Sequence, residues 1–76
     1  MRLKENADLI RFLEKVKECE HDVYFYTGEG DKLNLKSTLS QFLFSAVAAE
    51  DEMLKSGKVL CDDPEEYTKL AEFLEG

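Results

Sequence analysis

Few residues of this chain have the types and spacing that could carry chemistry: a single histidine, His21; Cys19 and Cys61; Ser37; Tyr67; and the acidic run Asp62, Asp63, Glu65 and Glu66. His21 follows an amphipathic segment and is flanked by Glu20 and Asp22. A phosphohistidine needs the positive end of a helix and a cationic neighbour. His21 has the reverse on both counts and reads as a surface-loop histidine. Ser37 follows Lys36 and opens an apolar periodic run. At a helix start its hydroxyl can cap free N–H groups, and a phosphate on it would meet the same groups. The two cysteines belong to different elements and lack zinc-site spacing, so they read as buried thiols rather than a bridge or metal ligands. Asp63-Pro64-Glu65-Glu66 places an acidic cap, a proline at the first helical position and a glutamate three residues after the cap. With Tyr67, that run reads as a helix start and not as a cation site. No nucleophile–base pair, glycine-rich phosphate loop or metal-ligand cluster is present, so no enzyme activity, cofactor or metal is expected.

The elements that must position these residues follow from periodicity. Arg2-Leu3-Lys4 is long enough only for a short edge strand. Asn6 or Asp8 can cap a first helix over 7–20, in which Leu9, Phe12, Leu13 and Val16 fall on one face and Cys19 extends it. Val23-to-Thr27 is β-branched and aromatic, Gly28-Glu29-Gly30-Asp31 is a turn, and Leu33 and Leu35 alternate with Asn34 and Lys36. Together they predict an antiparallel hairpin over 23–36 with Val23 and Phe25 inward and Tyr24 and Tyr26 outward. Thr38 and Gln41 fit a capping box at the start of a second helix. Leu39, Phe42, Leu43, Ala46 and Val47 form its stripe, with Phe44 beside the stripe. That helix either continues to Gly57, a C-terminal stop, or breaks near Ala49-Glu50-Asp51. Val59-Leu60-Cys61 predicts a strand, and 64–75 a last helix with Tyr67, Leu70, Ala71 and Leu74 inward. The order β-α-β-β-α-β-α predicts an α/β (α+β) two-layer open-faced sandwich: a four-stranded antiparallel sheet with the helices on one face.

Size and charge narrow the function. Seventy-six residues make one domain. Seventeen acids against 10 bases, a net charge of -7 and no basic block argue against nucleic acid and against an anionic membrane surface. No apolar run approaches the ~20 residues of a membrane span. Met1-Arg2-Leu3-Lys4-Glu5 turns polar at once, unlike a signal peptide, so a cytoplasmic protein with a protein partner is expected.

That element order, with Leu35-Lys36-Ser37 leading into an apolar helix, resembles HPr, the histidine-containing phosphocarrier of the bacterial sugar phosphotransferase system. The resemblance covers roughly residues 3–75. It implies an HPr-like fold over 1–76. It also makes Ser37 a candidate regulatory phosphosite, and Lys36, Leu39, Phe42 and Phe44 candidates for partner docking. The chain departs from the family where HPr carries its phosphoryl group. Histidine, arginine and proline are absent near Glu5, Asn6, Ala7 and Asp8, and the residues after Ser37 are Thr38, Leu39, Ser40 rather than isoleucine, methionine, glycine. The expectation is a regulatory or protein-interaction module without the phosphorylatable histidine. An unrelated small acidic α/β binding protein, such as a phage or plasmid inhibitor, and a phosphotransfer protein with a cryptic acceptor are the other readings.

Overall fold

The computed structural model describes residues 1–76. Its elements are β1 (Arg2–Leu3), α1 (Leu9–Glu18), β2 (Val23–Tyr26), β3 (Lys32–Asn34), α2 (Thr38–Ala48), α3 (Asp51–Ser56), β4 (Lys58–Cys61), α4 (Glu66–Lys69), a 3-10 turn (Ala71–Phe73) and β5 (Leu74–Glu75). The fold is a mixed α+β one. The predicted hairpin forms, with Phe25 opposite Leu33 and Tyr26 opposite Lys32. β4 pairs antiparallel on the other side of β2, giving a three-stranded sheet in the order β3-β2-β4.

The predicted single four-stranded sheet is not formed. β1 pairs with β5 in a separate two-stranded sheet, Leu3 opposite Leu74. Met1 links the two sheets: the Val59 N–H donates to the Met1 carbonyl at 2.6 Å, and the Met1 nitrogen donates to the Val59 carbonyl at 3.3 Å. The predicted 64–75 helix accounts for the difference. It stops after one turn at Lys69, and Leu70 leaves helical geometry at φ -100°, ψ 3°. Phe73 and Leu74 are both buried, an adjacent pair that a single amphipathic stripe over 64–75 does not place together. The extended backbone at Leu74 lets Phe73 pack edge-on against Phe12, at 5.7 Å between centroids, while Leu74 meets Leu3. Once residues 74 and 75 are a strand, they offer β1 a closer partner than the main sheet does.

Other boundaries follow local chemistry. Asp8, not Asn6, caps α1 by accepting from the Arg11 N–H at 3.2 Å. Phe12 and Val16 are buried, and Leu9 and Leu13 pack partly against them. The second helix breaks at Glu50, which is extended (φ -114°, ψ 109°) and starts α3. The core is one cluster that includes Phe12, Val16, Val23, Phe25, Leu35, Phe44, Val59 and Leu70. Its centre is a chain of rings: Phe44 lies 6.1 Å from Phe12 and 5.1 Å from Phe25. Both thiols are free. Cys19 is buried and Cys61 half-buried. Burial first, and then the Glu66 carboxylate nearby, pushes both up to about 11, so both stay protonated at neutral pH. No helix is long and apolar enough to cross a membrane.

Candidate docking surface

The structure turns α2 about its axis relative to the sequence reading. Leu39 is 70% exposed, Phe42 75% and Leu43 nearly half, while Phe44 is 1% exposed. Two helical residues are separated by about 200° of rotation, so burying Phe44 puts Phe42 on the opposite side. Phe44 is therefore not a docking residue; it fills the space between Phe12 and Phe25. Gln41, on the inner side, is held there because its Nε2 donates to the Leu35 carbonyl at 2.9 Å. That bond also replaces the predicted Thr38–Gln41 capping box. Leu43, which the stripe assigned to the core, joins Leu39 and Phe42 on the outer face. One sequence signal foretells this. Residues 37–49 contain no charge, so whichever face of α2 meets water is neutral and largely apolar.

Lys36 and Ser37 stand at the start of this helix. The Lys36 ammonium donates to the Cys19 carbonyl at the C-terminal end of α1, where a cation also meets the negative end of the helix dipole. Lys36 thus ties α1 to the hairpin. The turn into α2 is organised by Asn34, whose Oδ1 accepts from the Lys36 N–H at 3.0 Å and whose carbonyl accepts from the Ser37 N–H at 3.0 Å. Ser37 occupies the N-cap position with extended backbone, yet its hydroxyl makes no capping bond and the residue is exposed. Its role as a side-chain cap is corrected. Ser37→Ala is accordingly expected to change stability by no more than about 0.5 kcal/mol, not the ~1 kcal/mol of a lost cap; urea unfolding of the pair of proteins measures it.

His21 is placed away from this surface, beyond the C-terminal end of α1. Its partners come from the far end of the sequence: Nδ1 lies 3.2 Å from Glu66 Oε1 and 3.6 Å from Asp63 Oδ2. Glu66 is buried. Its Oε1 also accepts from the N–H groups of Glu20 at 2.9 Å and His21 at 3.2 Å, and its Oε2 lies 3.3 Å from Lys69 Nζ. Sequence reasoning assigned Glu66 only to a helix start. It is instead the clasp between the α1–β2 turn and α4. Asp63 is not the cap, since α4 begins at Glu66 with Glu65 in the cap position, but its Oδ1 accepts from the Glu65 N–H at 2.9 Å in the turn before the helix.

Burial pushes the Glu66 carboxyl up, but hydrogen bonds from His21, Cys19 and the two backbone N–H groups outweigh it and bring it down to about 2. The hydrogen bond to Glu66 raises His21 above its ordinary 6.5. The signs fix a stability window. The Glu66 contribution is complete above about 4.5 and fades as pH falls toward about 2. The His21 contribution is complete below 6.5 and fades as pH rises through the elevated folded value. Urea midpoints are expected to peak between those limits. His21→Ala should remove the alkaline fall and also shrink the acid one, because its hydrogen bond is the strongest of those that hold Glu66 down, and Glu66→Gln should flatten both; an unchanged alkaline limb in His21→Ala contradicts the assignment.

The positions that the resemblance aligns with the HPr phosphoryl site line a shallow cleft of about 450 Å³. Glu5, Asp8, Glu72 and Glu75 contribute four carboxylates there against Lys4 and Arg11, and Arg11 lies 3.7 Å from Glu72. The Asp8 carboxylate already occupies the start of α1. The cleft therefore opposes a phosphate. Across family models, curated proteins and solved structures, the chain matches none.

Proposed function

We propose that this protein is an HPr-like interaction module that carries no phosphoryl group on a histidine and docks onto a protein partner through the outer face of α2. The observation that carries this is the exposure of Leu39, Phe42 and Leu43 together on one helix. A small protein gains nothing in stability by leaving a phenylalanine and two leucines in water, and contiguous exposed apolar groups mark contact surfaces. The charge distribution supports the same face. The chain carries a net charge of -7, but α2 carries none, so an apolar contact there buries no unpaired charge. Phe42 is the natural anchor, flanked by Leu39 and Leu43 at helical spacing. The HPr-like part of the reading rests on element order and on Leu35-Lys36-Ser37. Ser37, exposed and free of capping duty, is where a regulatory phosphate would add about -2 of charge beside the apolar face.

The general phosphotransferase enzyme is the first partner to test. Titrated into labelled protein, it is expected to shift the amide signals of residues 39–46, and Phe42→Asp should weaken binding by about 30-fold or more, the measure of an interface anchor. With phosphoenolpyruvate present, intact mass should show no added phosphate. Binding with no perturbation of α2, or acid-labile phosphate on His21, would each overturn the proposal.

A further inference from the structure

The sheet has a second uncovered surface. Alternation along β2 and β4 sends Val23, Phe25 and Val59 into the core and Tyr24, Tyr26, Lys58 and Leu60 to the other side. Lys58, Leu60 and Lys32 are exposed, and both tyrosines are half-buried; α1, α2 and the core lie beneath. The charges on this face are sorted. Tyr26 is paired with Lys32 on one side and Lys58 on the other, which makes that end cationic. The Lys32 ammonium leans over the Tyr24 ring, 4.1 Å from its centroid. At the opposite end the ladder continues one step to Asp22 and Asp62, the Asp62 N–H donating to the Asp22 carbonyl at 3.0 Å. The same alternation turns both aspartates to the open side, and Asp22 Oδ2 accepts from the Tyr24 hydroxyl at 3.2 Å. Between the two ends lie Tyr24 and Leu60, directly opposite one another.

We infer that this face is an interface for a second copy of the chain. A two-fold axis lying between two such sheets and running across the strands keeps each strand over its own counterpart and sets Lys58 of one copy over Asp62 of the other. Lys58 and Asp62 are four residues of strand, about 13 Å, apart in both copies, so both Lys58–Asp62 pairs form at once, while Lys32, whose ammonium lies over Tyr24 nearer the middle of the face, reaches Asp22 across one strand. Tyr24 and Leu60 meet their own counterparts near the axis. A general acidic or basic partner would match only one end. The strands are short, so the contact falls below the ~800 Å² per partner of a stable complex. The dimer is weak and reversible, forming at protein concentrations of about 0.1 to 1 mM. It leaves the outer face of α2 free.

Sedimentation equilibrium over that range, with reversed-charge variants, tests the interface. The wild-type protein should move toward dimer mass with rising concentration. Lys32→Glu/Lys58→Glu and Asp22→Lys/Asp62→Lys should each stay monomeric while keeping the wild-type circular dichroism spectrum. An equimolar mixture of the two should recover association. The aspartate-to-lysine variant has the smaller net negative charge, so relief of overall repulsion would make it associate best alone, and recovery only on mixing excludes that explanation. Phe42→Asp should associate as the wild type does. A wild-type protein monomeric at 1 mM, or loss of association in Phe42→Asp with none in the charge variants, would overturn the assignment.

Discussion

Replacing Phe44 by alanine is expected to cost about 3–5 kcal/mol, while the same replacement of Phe42, two residues earlier, should cost no more than about 0.5 kcal/mol. The contrast comes from rotation alone. Phe44 is 1% exposed and touches the rings of both Phe12 and Phe25. Truncating it empties the junction between the helical layer and the sheet, and a cavity at such a junction closes poorly. Phe42 is 75% exposed and loses little by truncation. A domain of this size has only a few kcal/mol in reserve, so Phe44→Ala should be largely unfolded or molten at 25 °C. Urea titration followed by circular dichroism, with dispersion of the amide spectrum as the check on packing, measures both variants. Equal losses, or a larger loss at Phe42, would show that α2 sits the other way round.

A single methyl group at Gly57 is expected to be as damaging as the loss of the Phe44 ring. A Cβ built there would lie 2.7 Å from both Cε atoms of Phe25 and closer still to Cζ, where carbon contacts normally need about 3.5–4.0 Å. Phe25 cannot retreat, because its ring is fully buried against Phe44. Overpacking of a well-filled core costs about 1–3 kcal/mol and more where neither side can move. Gly57→Ala should fall at or beyond the top of that range. Gly57 ends α3, as its type and place lead one to expect, but not through left-handed backbone: its φ is -82°. Glycine is required there for the passage of a ring. Gly30, with φ +96°, is the turn glycine that needs its conformational freedom. A Gly57→Ala variant with the wild-type urea midpoint would show that Phe25 has room to move; thermal melts of the two proteins give the same comparison independently.

Much of the architecture is legible in local pattern. The hairpin is determined by alternation on both sides of a glycine turn, and α1 by four apolar residues on one stripe with an aspartate before it. In both, apart from the exposed Ile10, the aliphatic residues and phenylalanines fall on a single face, so burying that face leaves one solution. Two elements lack this property, and both depart from their local pattern. α2 has apolar residues all round, at Leu39, Phe42, Leu43, Phe44, Ala46 and Val47, so its periodicity says that it is a helix but not which side it buries. Only the gap between Phe12 and Phe25, sized for one ring, selects Phe44 and thereby exposes the face proposed here for docking. The segment after Glu66 has good helical spacing and an excellent start signal, yet one turn suffices before Phe73 and Leu74 are drawn into the core and Leu74 pairs with Leu3. Tertiary burial outweighs helical propensity there, since each large apolar side chain buried contributes about 1.5–3 kcal/mol against a few tenths per residue for propensity. The Glu66 clasp on His21 joins residues 45 apart and has no local signature at all. By itself the sequence determined the hairpin, the first helix, the acidic surface and the absence of histidine, arginine and proline near residues 5–8, because each is a matter of residue type or short spacing. The tertiary structure decided which side of α2 meets water, where the chain's end pairs and which carboxylate holds His21, because each depends on the shape left by elements distant in the chain.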